Sequence, residues 1–118
     1  MKDWKPLFVK ADRFLSFLSV FAPITITAIT LGVLVLYSGE LSERTRRHET
    51  IHFQQYLETL FVGFLIIYLY DWLKGVIIYG SGRKAYIQIR AEQEAYGNDA
   101  DPDYLRMRLR WVWLSNRV

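Results

Sequence analysis

The chain contains two histidines, His48 and His52, four residues apart, with Glu49 directly after the first. On an α-helix, positions i and i+4 share one face a turn apart, so the two imidazoles can hold one metal ion between them. Glu49 would then stand beside that ion, where a carboxylate can take a proton from an activated water. His48-Glu49-Thr50-Ile51-His52 is thus an H-E-x-x-H motif, and the chemistry it suits is metal-assisted hydrolysis. Zinc is the expected ion, because neutral imidazoles suit it and its Lewis acidity brings the pKa of water down toward about 7. The other reading of the same residues is a pair of interfacial histidines on a polar helix, with Glu49 in a surface ion pair.

A hydrolytic zinc site takes three protein ligands and keeps one position open. Cysteine is absent and no third histidine exists, so the remaining ligand must be an acid. The acids after the motif are Glu58, Asp71, Glu92, Glu94, Asp99, Asp101 and Asp103. Glu58 would have to bend back along its own helix. Asp71 lies nineteen helical rises beyond His52, roughly 28 Å on a straight helix. Glu92 and Glu94 are better placed, on a new element able to fold back on the motif.

These residues must be positioned by a chain with two long apolar stretches. Hydrophobic residues make up 52% of the 118 and aromatic residues 16%, more than a soluble domain of this size usually carries. From Phe14 to Tyr37 no charged residue occurs. As a helix that run covers roughly 36 Å, so a transmembrane helix is expected over 14–37, kinked at Pro23, with Thr25, Thr27 and Thr30 serving the freed backbone groups. It is too long for a signal-peptide core, and no small-x-small cleavage site follows it. Ser38-Gly39 ends it.

Residues 41–80 read as the motif helix running into a second hydrophobic segment, either spanning the membrane or re-entrant with a turn near residue 72. Gly80-Ser81-Gly82 breaks that segment. The part from 83 to 118 carries the candidate third ligand. In it Tyr86 to Arg90 alternates as a strand would, Ala91 to Tyr96 favours helix, and Asp101-Pro102 suits the start of a short helix. Arg106, Arg108, Arg110 and Arg117 then interleave with Trp111 and Trp113, as in a tail at the headgroup zone or an ordinary solvated basic helix. The expected fold is an all-α membrane protein, a single membrane-embedded domain over 1–118.

The combination His48-Glu49-Thr50-Ile51-His52, an apolar segment, then Glu92-Gln93-Glu94-Ala95-Tyr96 resembles the gluzincin plan of the HtpX and CAAX-prenyl-protease type of membrane metallopeptidase. It also resembles small bacterial membrane proteins that combine H-E-x-x-H with a segment like Lys84-Ala85-Tyr86 and Glu92 to Tyr96. The resemblance covers about residues 44–98. It implies Glu92 as the third metal ligand and Glu49 as the catalytic base. Tyr96 stands where those families have the aspartate that steadies a ligand, and Asp99 or Asp101 is available to substitute.

The site can assemble only if Glu92 returns to the side of the membrane that holds His48 and His52. Ten extended residues from Gly82 reach at most about 35 Å. Alternatively, a re-entrant turn gives two arms of equal length. The shared face would then carry Arg44, Arg46, Arg47, Arg90 and the tail arginines, which places it in the cytoplasm by the positive-inside rule, at a bacterial inner membrane. Net charge is only +3, from 15 basic and 12 acidic residues that are scattered along the chain, which argues against nucleic acid. The expected partners are the bilayer and a peptide or membrane-protein segment as substrate. The chain has little mass to wall a pocket, so a homo-oligomer or a larger membrane complex would help. The expected function is a membrane-embedded zinc metallopeptidase. The alternative is a non-catalytic small membrane subunit or adaptor whose motif is vestigial or only binds metal.

Overall fold

A computed structural model describes residues 4–22 and 25–118. The expected kink at Pro23 lies outside the described residues. The expected transmembrane helix over 14–37 does not form, and the fold is not purely α. Strand β1 (Leu7–Lys10) leads into helix α1 (Asp12–Phe21), and residues 28–37 then make a hairpin of β2 (Ala28–Leu31) and β3 (Leu34–Tyr37). The sheet order is β1-β3-β2, with β1 parallel and β2 antiparallel to β3.

The reason lies in the residues. Ile26, Thr27, Ile29, Thr30, Val33 and Val35 are β-branched, and such side chains favour extended backbone. Gly32, with φ of +65°, takes the first central place of the two-residue turn between Leu31 and Leu34. A positive φ there is what a tight hairpin needs. The sheet turns Val35 and Thr30 inward, and Leu15 of α1 is buried with them.

Helix α2 (Glu43–Glu58) starts at Ser42, whose hydroxyl accepts from the Thr45 amide. It lies on β2. Thr30 Oγ1 donates to the Glu49 carbonyl at 3.0 Å, and Tyr56 Oη donates to the Thr30 carbonyl at 3.0 Å. The expected continuous helix into the second apolar segment breaks here, because Leu60 and Phe61 adopt φ of +56° and +65°. That positive-φ pair, closed by the Val62 amide on the Leu60 carbonyl at 2.7 Å, reverses the chain and opens α3 (Val62–Tyr79). Nor does the apolar segment turn near residue 72: α3 continues unbroken to the left-handed Gly80.

Among the described residues, α3 is the one helix long and apolar enough to cross a membrane. Leu65, Ile66, Leu69, Leu73, Ile77 and Ile78 are exposed along it, while Phe64, Asp71 and Gly75 face the protein. The chain returns along α3 as α4 (Gly82–Gln88) and α5 (Arg90–Asn98), so the alternation over Tyr86 to Arg90 belongs to helical backbone with a bend at Ile89. Three contacts step it back toward α2. Gly75 meets Ala85 so closely that a Cβ on Gly75 would come within 2.8 Å of the Ala85 Cβ. The Asp71 carboxylate then receives the Arg90 backbone N–H at 3.1 Å and its Nε and Nη2 at 2.9 Å each. Last, Tyr68 Oη donates to Glu92 Oε2 at 2.6 Å.

The tail, α6 (Tyr104–Met107) and a 3₁₀ turn (Val112–Ser115), is not a uniformly interfacial or solvated basic segment. Trp113 is fully buried in a cluster with Tyr56, Phe64, Ile89 and Ala91, and Arg108 is buried beside it.

Candidate metal centre

Helix α2 turns His48, Glu49, His52 and Gln55 toward α5, at the spacing i, i+1, i+4, i+7 that keeps one helical face. Helix α5 answers with Glu92 and Glu94, and Asp99 follows at its C-terminal cap. His48 Nε2 and His52 Nε2 are 3.2 Å apart, and Glu92 Oε1 lies 3.2 Å from the first and 3.0 Å from the second. A tetrahedral zinc with bonds of about 2.0–2.1 Å would hold its ligand atoms about 3.3 Å apart, so the triangle is of metal-binding size. His48, Glu49 and His52 together also form a group that can hold a metal ion.

The other ring nitrogens are occupied. His48 Nδ1 lies 3.0 Å from Asp99 Oδ2, and His52 Nδ1 lies 2.8 Å from Gln55 Oε1. Both partners are acceptors, so each Nδ1 carries its hydrogen and donates it. Each Nε2 then faces the shared point, where it can carry a proton or bind a metal, which is how ligating histidines are commonly fixed. Gln55 is itself fixed, because its Nε2 donates to the Ala91 carbonyl at 3.1 Å and to Glu94 Oε1 at 2.9 Å. Glu92 keeps Oε1 for the imidazoles because Tyr68 engages Oε2.

The electrostatics favour positive charge at that point. Burial alone would lower the pKa of His52, but Glu92 and Glu49 outweigh it and push it up to about 9. Burial likewise opposes charge on Glu92, yet His52 and His48 hold its carboxyl well below the usual range. For Glu49 burial wins and its pKa is raised, with the imidazoles working against the shift. Its Oε2 is buried and has no hydrogen-bond partner among the described residues. A buried carboxylate oxygen left unsatisfied beside two aligned imidazoles fits a site that receives a cation and a water.

A cavity of about 810 Å³ opens over these residues. One end is polar, with Arg44, Thr45 and Asp99. The other is walled by Ala28 and Leu31 of β2 and by Leu65, Leu69 and Trp72 of α3.

No family model, curated protein or solved structure matches this chain.

The structure thus brings His48, His52, Glu49 and Glu92 together. Of the other acids weighed from sequence, Asp99 reaches His48, whereas Asp101 stays exposed and caps the Asp103 amide. Glu58 and Glu94 turn instead to Arg108. Its Nη1 and Nη2 bind Glu58 at 2.6 and 2.9 Å, and its Nε and Nη2 bind Glu94. Sequence reasoning missed Gln55, Tyr68 and Arg108. The spacing of Gln55, three residues after His52, could have flagged it. Tyr68 and Arg108 carry no local signal.

Proposed function

We propose that the protein is a membrane-embedded zinc metallopeptidase that hydrolyses peptide bonds at the membrane interface. The observation that carries this reading is the triangle of His48 Nε2, His52 Nε2 and Glu92 Oε1 at 3.0–3.2 Å, with both Nδ1 atoms tied to acceptors. In this reading those three atoms hold the metal. Zinc, when bound, supplies Lewis acidity that makes water acidic enough to react near neutral pH. Glu49 accepts the proton of the attacking water as its oxygen bonds to the carbonyl carbon. The same carboxyl delivers that proton to the nitrogen as the C–N bond breaks, leaving an acid and an amine.

A peptide is favoured as substrate because β2 is an edge strand on the cavity wall. Thr27, Ile29 and Leu31 turn their backbone groups to β3, since the Ser38 amide bonds the Thr27 carbonyl and the register then alternates. Ala28 therefore points its N–H and C=O away from the sheet, free to pair with an extended chain. The bilayer is supported as a partner by the exposed apolar face of α3, and a cytoplasmic site by the arginines around the motif.

The test is metal content and hydrolysis together. Purified protein in detergent should hold about one zinc per chain, and His48→Ala or Glu92→Ala should lose it. Glu49→Gln should keep the zinc and cleave no member of a peptide library that the wild type cleaves. Zinc bound without hydrolysis by the wild type would favour a metal-binding, non-catalytic membrane subunit.

A further inference from the structure

Tyr96 occupies the position at which the resemblance to membrane metallopeptidases departs from its pattern, and the structure puts that departure beside the candidate metal centre. It sits one turn after Glu92 on α5, with its ring edge-on to His48 at a centroid separation of 4.4 Å. Its hydroxyl lies 2.8 Å from the hydroxyl of Tyr86 on α4, and both tyrosines line the cavity that holds His48, Glu49 and Glu92. Among the described residues neither hydroxyl has another partner.

Two phenols bring two O–H groups, and the bond between them uses one. The other remains free to donate, and the two tyrosines stand where the metal-centre cavity meets a second one bordered by Ser19, Thr25 and Arg83. A phenol ordinarily titrates at about 10, so both tyrosines carry their protons at neutral pH. Tyr86 is the less exposed of the two, which suits it as the anchor. The rival donor on that wall, Arg44, has its Nε engaged by Asp99 at 2.8 Å and a side chain 62% exposed, so water screens its charge.

We infer that the Tyr96 hydroxyl donates to the substrate carbonyl oxygen as negative charge develops on it, with Tyr86 setting the direction of that donor. This rests on the peptidase reading, in which a carbonyl beside the metal centre gains negative charge when water attacks. A donor aimed at that oxygen stabilises the transition state more than the substrate, and the neutral hydroxyl of Tyr96, a residue 47% exposed, does so without the charge that water screens on Arg44. Phenylalanine at 96 would keep the ring against His48 and remove only the donor.

The experiment compares wild type, Tyr96→Phe, Tyr86→Phe and the double variant in detergent, all loaded with zinc. The readouts are zinc content, affinity for a phosphinic dipeptide whose tetrahedral oxygens mimic the oxyanion, and kcat. Zinc content should be equal in all four. Tyr96→Phe should bind the phosphinic peptide at least about tenfold more weakly and lose about 10²–10³ in kcat, the usual effect of deleting one such donor. Tyr86→Phe should lose less, and the double variant should be no worse than Tyr96→Phe. Unchanged phosphinate affinity in Tyr96→Phe overturns the inference. So does loss of zinc from that variant, which would make the hydroxyl a support of the metal centre rather than a donor to the substrate. If the wild type binds zinc and phosphinate in a Tyr96-dependent way yet cleaves no peptide, the donor stands and the peptidase reading fails. A wild type that binds no zinc sinks both.

Discussion

Replacing Arg108 with methionine should damage both the fold and the candidate metal centre, although Arg108 touches none of the residues proposed to hold the ion. The guanidinium is 3% exposed and sits between two carboxylates, Glu58 and Glu94, whose side chains are 0% and 3% exposed. Removing one partner of a buried pair leaves uncompensated charge, at a cost of about 3–5 kcal/mol. Here two acids lose one cation, which argues for the upper part of that range. Relief comes from groups that stay: Tyr104 Oη on Glu94 at 2.6 Å and Trp113 Nε1 on Glu58 at 3.1 Å. A loss of about 4 kcal/mol is therefore expected, well within reach of urea titration in detergent with tryptophan fluorescence as the signal. The same change loosens Glu94, which orients Gln55, which in turn orients His52. Zinc affinity should fall by about 10–100-fold, as when the groups that steady a ligand are lost. Adding Glu58→Gln and Glu94→Gln to Arg108→Met should recover part of the stability, because no bare charge then remains. Arg108→Met within about 1 kcal/mol of wild type would refute the reasoning and mean that water reaches the cluster.

Other expectations follow from single contacts. Asp99→Asn keeps the shape but replaces the carboxylate that faces His48 Nδ1, so zinc affinity in a chelator competition should drop by about 10–100-fold with little change in unfolding. In Gly75→Ala the added Cβ would meet the Ala85 Cβ at 2.8 Å and its Cα at 2.9 Å and force α3 and α4 apart, at about 1–3 kcal/mol, and Ala85→Gly in the same chain should restore only part of the loss because the backbone contact stays. Leu60→Gly should stabilise by up to about 1 kcal/mol in the same titration, because Leu60 is 84% exposed and its φ of +56° is one a glycine adopts without strain.

The amino-acid sequence by itself determined the local chemistry. Two imidazoles at helical spacing with a carboxylate after the first can be read without coordinates, because the periodicity of one helix decides which side chains share a face. The break at Gly80-Ser81 and the apolar run that becomes α3 were legible for the same reason: each is set by residues close in the chain. The stretch 14–37 was not, because an unbroken apolar run has no period to separate helix from strand. There the β-branched residues and Gly32 decided the outcome only once β1 and α2 offered the hairpin a neighbour on each side.

What tertiary structure alone decided is who meets whom at long range. His48 meets Asp99, Glu92 meets Tyr68 and both imidazoles, and Arg108 meets Glu58 fifty residues away. None of these pairs has a local signature, since each is made by the reversal at Leu60-Phe61 and the return of α4 and α5 along α3. A buried polar group must find a partner somewhere, but only the folded chain settles which one.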